Sequence, residues 1–321
     1  MASDMTTFGF ESTTDEVLAG VDLTGQRALI TGASAGLGVE TARALAAHGA
    51  DIIMAVRDRA KGESAAEAVR ADATGSVQLV ELDLASLKSV RACSDALLAE
   101  GKPLNLLIAN AGVMACPQGT TEDGFETQFG TNHLGHFVFV NKLVPLLLAG
   151  APARIVCLSS SGHRISAVSL DDPNFERTPY DPWDAYGRAK TANALFALEL
   201  DKRLRDRVVR ACSVHPGGIM TELGRHMTPE VRQRMMDRFA NQPGTFTFKT
   251  VPQGAATTVW AAAVADPAEV AGRYCEDCHI AEPTTDPDSV KGVRSHAQDP
   301  ETATALWTLS EQLVGENFPL A

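Results

Sequence analysis

At 321 residues and 45% hydrophobic content, the chain can bury a full core, and no Pro/Gly/Ser-rich linker or charge run divides it. Its 28 basic and 40 acidic residues leave a net charge of −12, which argues against nucleic acid or an anionic membrane as the main partner. The first ten residues carry neither a basic nor an apolar leader pattern, and no stretch matches the ~18 apolar residues of a spanning helix, so a cytoplasmic protein without a membrane span is expected.

Residues 1–24 show no strong periodicity and read as an N-terminal arm, with one α/β domain expected over 25–321. Order begins at Gln26. The apolar run Arg27-Ala-Leu-Ile30 leads into Thr31-Gly32-Ala-Ser34-Ala-Gly36-Leu37-Gly38, after which Val39, Ala42, Leu45 and Ala46 recur at helical spacing. Strand, glycine turn and helix in that order suit a pyrophosphate. Glycine lets phosphate oxygens approach the main chain, and the helix start offers unpaired N–H groups. A second strand, Asp51–Val56, ends at Arg57, whose guanidinium could pair with a ribose 2′-phosphate. NADP(H) is favoured; Asp58, one residue on, would accept ribose hydroxyls and leaves NAD(H) open.

The alternation continues with a helix over 59–71, a strand over 77–82, a helix over 86–99 and a strand over 104–109, the pattern of a parallel sheet with right-handed crossovers. Asp83 and Leu84 can reach an adenine edge or cap the next helix. Asn110, Ala111 and Gly112 let backbone approach a cofactor ribose or make a turn. A helix is expected after Thr121, carrying Phe125, Phe129, Asn132, His133 and His136 and ending near residues 145–148. Asn132, amid apolar neighbours, needs partners: the backbone of a distorted turn, or a water beside an active lysine. His133 and His136 read as structural or surface residues. A strand over 154–158 then delivers Ser159-Ser160-Ser161 to its C-terminal edge, where ligands bind in open α/β sheets.

Asp184-Ala-Tyr186-Gly-Arg-Ala-Lys190 opens a helix with Tyr186 and Lys190 four apart on one face. A buried or cofactor-facing ammonium would lower the phenol toward the range of a general acid/base. Ala189, Ala192 and Leu195 on this helix would allow a helix-to-helix homodimer, with a monomer as the alternative. A sixth strand over 208–214 precedes Pro216-Gly217-Gly-Ile219-Met-Thr221. Residues 217–252 form the expected substrate loop. Its Met227, Met235, Met236, Phe239, Phe246 and Phe248 would mould over an apolar molecule or form the buried side of a short helix. A helix over 252–265, a strand over 272–274 and a helix over 301–313 finish the chain. Of Cys93, Cys116, Cys157, Cys212, Cys275 and Cys278, the first four read as reduced core thiols. Cys275-Glu-Asp-Cys278-His279 has a ligand-like spacing but no second pair to complete a zinc set, and no metal is expected.

The glycine turn, Asn110-Ala-Gly112, Asn132-His-Leu-Gly135, the serine-rich strand end, Tyr186-x-x-x-Lys190 and Pro216-Gly217 occur in the order and spacing of the short-chain dehydrogenase/reductase family. The chain resembles that family over about Leu23 to Val270. Ala55-Val-Arg57-Asp, Thr131-Asn-His-Leu-Gly-His-Phe137 and Arg154-Ile-Val-x-x-Ser-Ser160 are similar to its retinol-dehydrogenase-like branch. The resemblance implies a doubly wound Rossmann-type parallel sheet with helices on both faces. It implies the catalytic tetrad Asn132, Ser160, Tyr186 and Lys190, with Ser160 as the second serine after the strand. It implies cofactor contacts from Gly32, Ser34, Gly36, Leu37, Gly38, Arg57, Asp83, Leu84, Asn110, Ala111, Gly112, Tyr186, Lys190, Pro216, Gly217, Ile219 and Thr221. The implied activity interconverts a small hydrophobic alcohol and its ketone or aldehyde: Tyr186 moves the proton, Ser160 holds the oxygen, Lys190 binds ribose and Asn132 positions a water. A dinucleotide-sensing regulator without turnover and a reductase of carbon–carbon double bonds are the alternatives.

Overall fold

The computed structural model describes residues 8–240, 247–287 and 289–319. Apolar runs form β1 (Arg27–Thr31), β2 (Asp51–Val56), β3 (Val77–Glu81), β4 (Leu106–Ala109), β5 (Ala153–Leu158), β6 (Val209–His215) and β7 (Tyr274–Glu276), all parallel. A short β8 (His279–Ile280) pairs antiparallel with β7. The strand order is β3-β2-β1-β4-β5-β6-β7-β8. The chain winds outward from β1 to β3, then returns to lay β4 on the other side of β1. Such a reversal leaves a crevice at the carboxyl ends of the two strands.

Helices cover both faces. Alternate strand residues point opposite ways, so Leu29 and Ile53 enter one core while Ala28 and Ile30 enter the other. The first core is closed by α4 (Leu87–Glu100), α6 (Gly135–Ala149), α7 (Pro182–Leu204) and α11 (Pro300–Val314), which bring Val90, Phe137, Leu200 and Trp307. The second is closed by α2 (Gly36–Ala47), α3 (Arg59–Asp72) and α9 (Val251–Val259), through Leu45, Val69 and Ala256. Side chains of Asp58, Ser86, Asp181, Thr250 and Asp299 cap α3, α4, α7, α9 and α11, satisfying N–H groups that the first turn of a helix leaves unpaired.

Differences from the sequence reading have local causes. The N-terminal segment contains α1 (Thr14–Leu18), started by a Thr13/Glu16 capping box and buried through Val17 and Leu18; five residues are too few to show a repeat. The helix expected after Thr121 starts later, at α5 (Thr127–Phe129), because the Glu126 carboxylate accepts the N–H groups of Gln128 and Phe129. It then passes through a π-helical turn, Gly130–Leu134, into α6. The last parallel strand begins two residues later than expected, since Gly272 has φ +68° and turns the chain. Ala189, Ala192 and Leu195, the face on which the sequence suggested a dimer, are buried in the chain's own core and offer no surface to a second copy. A short helix, α8 (Pro229–Ala240), follows the site turn after β6, and α10 (Pro267–Val270) precedes β7. No helix among the described residues is long and apolar enough to cross a membrane.

Phe137 is fully buried, with ring centroids 5.0 Å from Trp307 and 5.4 Å from Phe196. Phe137→Ala is expected to cost about 3–5 kcal/mol of stability in a denaturant titration, as large-to-small changes in packed cores do. A loss under about 1 kcal/mol would show that this layer collapses around the gap.

Candidate functional site

The crevice at the carboxyl ends of β1 and β4 opens into a cavity of about 1210 Å³. One wall is the turn from β1 into α2. The N-cap residue of α2, Ala35, makes no side-chain cap bond, so the N–H groups of the first turn are left for an anion. A Cβ on Gly38 would stand 2.4 Å from the Gly32 carbonyl oxygen, so only glycine fits where the helix crosses the turn. Gly32, Ser34, Gly36, Leu37 and Gly38 all line the cavity. Further along, so do Arg57 at the end of β2, Leu84 after β3, and Asn110, Ala111 and Gly112 after β4. Pro216, Gly217, Ile219 and Thr221 line it after β6.

Two sequence-chosen residues stand outside this lining. The Asp83 carboxylate accepts the Ala85 N–H at 2.9 Å, a turn bond, and the cap of α4 is Ser86 rather than Asp83. Asn132 is wholly buried in the π-helical turn; its amide donates to Val113 O at 2.9 Å and accepts from Val113 N–H at 2.8 Å. Both ends of the amide thus bond the main chain of Val113, which lies in the loop after β4 and not in the distorted turn that carries Asn132. Asp58 is likewise occupied, since its carboxylate caps α3 through the Lys61 N–H at 3.0 Å. Arg57 is exposed and has no carboxylate partner among the described residues, while neighbouring Lys61 pairs with Glu222.

The reactive side of the crevice is made by β5 and α7. Ser159 is buried and its hydroxyl donates to Lys190 O at 2.7 Å, while the next residue, Ser160, faces the cavity beside Tyr186, where its hydroxyl accepts the Gly162 N–H at 3.1 Å and acts to lower the phenol's pKa. A Cβ on Gly162 would lie 2.7 Å from Tyr186 Cε1, so the absence of a side chain lets the phenol ring lie on this turn. Lys190 Nζ donates to Leu158 O at 2.9 Å and sits 5.7 Å from the Tyr186 ring centroid.

This geometry corrects the expectation that Lys190 pulls the phenol down. Burial pushes Tyr186 up to about 12, only partly opposed by the Ser160 hydroxyl, because the ammonium is held against the Leu158 carbonyl instead of the phenol oxygen. Burial also brings Lys190 down to about 8. Near neutral pH the pair is a neutral phenol beside an ammonium.

Around them, Met114, Ile165, Trp183, Met220, Met227 and Met235 supply apolar lining to the cavity. Met227, Val231 and Met235 pack with Met114 and Trp183 in a small cluster apart from the two main cores. Met235 thus satisfies both sequence readings, being on the inner side of α8 and part of the cavity wall, whereas Met227 precedes the helix and Met236 is exposed. Phe248 lines the cavity, and Phe246 lies outside the described residues. Cys275 is buried in β7 and Cys278 in the β7–β8 turn, their thiols held protonated by the neighbouring Cys212 and by burial in the one case and chiefly by burial in the other. Sequence reading missed the part played by His136, which touches both Thr31 and Asn132. Its only sequence signal was a histidine in an apolar run.

The family model for short chain dehydrogenases matches residues 26–232. The chain is 42% identical over 297 residues to retinol dehydrogenase 12 of Mus musculus, covering 92% of this chain and 88% of that protein. It is 41% identical over 292 residues to the short-chain dehydrogenase/reductase prx1 of Penicillium roqueforti, covering 89% and 84%. Among solved structures, an uncharacterized protein of Mycobacterium paratuberculosis shares the fold with a TM-score of 0.70 and 37% identity, over 93% of this chain and 96% of that one.

The two neighbouring serines make opposite predictions. Ser160→Ala is expected to cut turnover at least ~10²-fold with little change in melting temperature, the size of effect seen when one donor to a developing charge is removed. Ser159→Ala should instead cost about 1 kcal/mol of stability, the worth of one buried bond, with turnover kept within a few-fold. The reverse pattern would exchange the two assignments.

Proposed function

The chain belongs to the short-chain dehydrogenase/reductase family, in its retinol-dehydrogenase-like branch, and is an NAD(P)-dependent oxidoreductase of CH–OH and C=O groups; from this premise we propose that it prefers NADP(H), acts on a hydrophobic substrate and uses Tyr186 as general acid and base. The observation that carries the reading is the meeting of the Ser160 hydroxyl and the Tyr186 phenol at one end of a crevice whose other end is an uncapped helix start.

The residues present fit a dinucleotide. Gly32, Ser34, Gly36, Leu37 and Gly38 would hold its pyrophosphate, Asn110, Ala111, Gly112 and Lys190 its ribose, and Leu84 its adenine, with Asp83 shaping that turn. Pro216, Gly217, Ile219 and Thr221 would meet the carboxamide and pyrophosphate. Arg57, exposed beside the cavity with Asp58 tied up as a cap, is a ready partner for a 2′-phosphate and supports NADP(H) over NAD(H).

When bound, the dinucleotide supplies hydride to a carbonyl carbon or takes it from an alcohol carbon. In reduction Tyr186 gives its phenolic proton to the carbonyl oxygen, which the Ser160 hydroxyl holds; in oxidation the proton returns to the phenolate. Burial keeps the phenol protonated near neutrality, the form that reduction needs, while Lys190, brought down to about 8 by burial, is still an ammonium there. Asn132 ties the loop at Val113 to the helix beneath. The Met114, Trp183, Met227 and Met235 wall favours a steroid-like, retinoid-like or aromatic substrate, since methionine adapts to irregular apolar shapes.

Incubation with NADPH and a panel of hydrophobic ketones and aldehydes, read at the nicotinamide absorbance with product analysis, tests the reading. Products reduced at a carbon–carbon double bond with the carbonyl intact would overturn it. Tyr186→Phe is expected to lower kcat by ~10³-fold or more with NADPH binding kept within a few-fold; unchanged kcat would remove Tyr186 from the reaction. Arg57→Ala should weaken NADPH by about 1–2 kcal/mol and NADH hardly at all, and an unaltered preference would exclude Arg57 as the phosphate partner.

A further inference from the structure

His136 is buried in the first turn of α6, and its two ring nitrogens reach two separate parts of the site. Nε2 lies 2.8 Å from Thr31 Oγ1 at the end of β1, and Nδ1 lies 2.9 Å from the Asn132 carbonyl oxygen in the π-helical turn. The Thr31 hydroxyl also accepts the N–H of Asn110 at 3.0 Å and that of Ala111 at 2.9 Å. A hydroxyl has two acceptor sites and one proton. With both acceptor sites taken, the proton of Thr31 goes to Nε2, so Nε2 is the acceptor, the ring proton sits on Nδ1, and Nδ1–H donates to Asn132 O. The bonding network thus assigns the tautomer. The ring is neutral as well: burial pushes it down to about 4, and the nearby Lys190 ammonium opposes a second positive charge.

We propose that His136 is a positioning residue that locks the turn at Thr31, Asn110 and Ala111 to the main chain of Asn132, holding the cofactor side of the crevice in register with Lys190 and Tyr186. The inference rests on the function proposed above. The linkage has a short onward path. A Cβ on Gly112, next after Ala111, would stand 3.0 Å from Asn132 Oδ1 and 3.7 Å from Lys190 Nζ, so a displaced turn at 110–112 presses on both. The Asn132 amide also holds Val113, the residue after this turn, so the imidazole is a second link between the two segments and the one that reaches Thr31. Removing the imidazole takes a partner from a buried hydroxyl proton and from a buried carbonyl, and leaves Thr31 and the start of the 110–112 turn without their tie to the Asn132 segment, which the Asn132 amide then holds at Val113.

The test is a double-mutant cycle of His136→Phe and Thr31→Val, with Thr31→Ser as the variant that keeps the hydroxyl. Each single change is expected to lower kcat by ~10–10²-fold with the carbonyl KM within a few-fold, the cost of a small misplacement of reacting groups. NADPH binding, followed by nicotinamide fluorescence, should weaken by roughly the same few-fold in both singles and no further in the double, the non-additive signature of residues in one network. Thr31→Ser should stay close to wild type. Losses that multiply in the double variant, or His136→Phe with kcat and NADPH affinity both within about twofold of wild type, would overturn the proposal. If His136→Phe does not fold, the Thr31 pair decides: Thr31→Val must lose activity where Thr31→Ser does not, and equal behaviour of the two sinks the linkage. If no carbonyl is turned over by the wild-type chain, the proposed function falls, while the binding cycle still decides the role of His136.

Discussion

The site depends on a clamp between the end of β5 and the middle of α7. Leu158 O accepts from Lys190 Nζ at 2.9 Å and from Asn193 Nδ2 at 3.0 Å, and the Ser159 hydroxyl returns a bond to Lys190 O at 2.7 Å. An ammonium taken out of water is costly unless its donors are met. The carbonyl beneath Lys190 meets one of them and fixes the helix on the strand. Ser160 follows Ser159 directly, and Tyr186 stands one helical turn before Lys190, so once the clamp closes both are brought to the same side of the crevice. The burial that fixes the geometry also sets the protonation, pushing the phenol up and the ammonium down.

Buried histidines supply a second kind of support. His133, His136 and His163 are held neutral by burial, at about 3, 4 and 3. Each spends a ring nitrogen on a strut: His133 reaches Ser310 in α11, His136 reaches Thr31, and His163 reaches Ser160 O at 2.7 Å. An imidazole that stays neutral across the working pH carries a donor and an acceptor on opposite edges of a rigid ring, which suits it to joining two backbones. In this site histidine acts as a brace and not as a pH switch.

The order of strands and helices and the identity of the crevice were legible in the sequence, because β-α-β alternation and the glycine turn are set by local periodicity. The spacing of Tyr186 and Lys190 was legible for the same reason. The sign of the shift at Tyr186 was not: it depends on where the ammonium points, and the Leu158 carbonyl that captures it is 32 residues away. Asn132 was recognisable as a buried amide, but its partner, Val113, came from a loop with no periodic signal. The face chosen for a dimer was misplaced, because small apolar residues on a helix look the same whether they meet the chain's own sheet or another copy. Ala189 and Leu195 face the former.

The C-terminal part of the chain, beyond the residues 26–232 matched by the family model, is tied to the reactive turn in ways that go past covering a core. The 3₁₀ turn Ser161–Arg164 follows Ser160 directly. On it, Arg164 pairs with Glu276 at 3.2 Å and donates to Gly292 O at 3.1 Å, while Glu276 accepts the Gly292 N–H at 2.6 Å. His163 accepts the Arg294 N–H through Nε2 at 3.2 Å, so its remaining ring proton is the one given to Ser160 O. The turn bearing the candidate serine is thereby fastened on one side to α7 and on the other to β7 and the chain after β8. A buried ion pair stabilises little on its own, but breaking one by removing a single partner is severe because a charge is left stranded. That asymmetry makes Arg164–Glu276 better suited to enforcing one geometry than to adding stability, and it places part of the control over Ser160 in a region that carries none of the family's motifs.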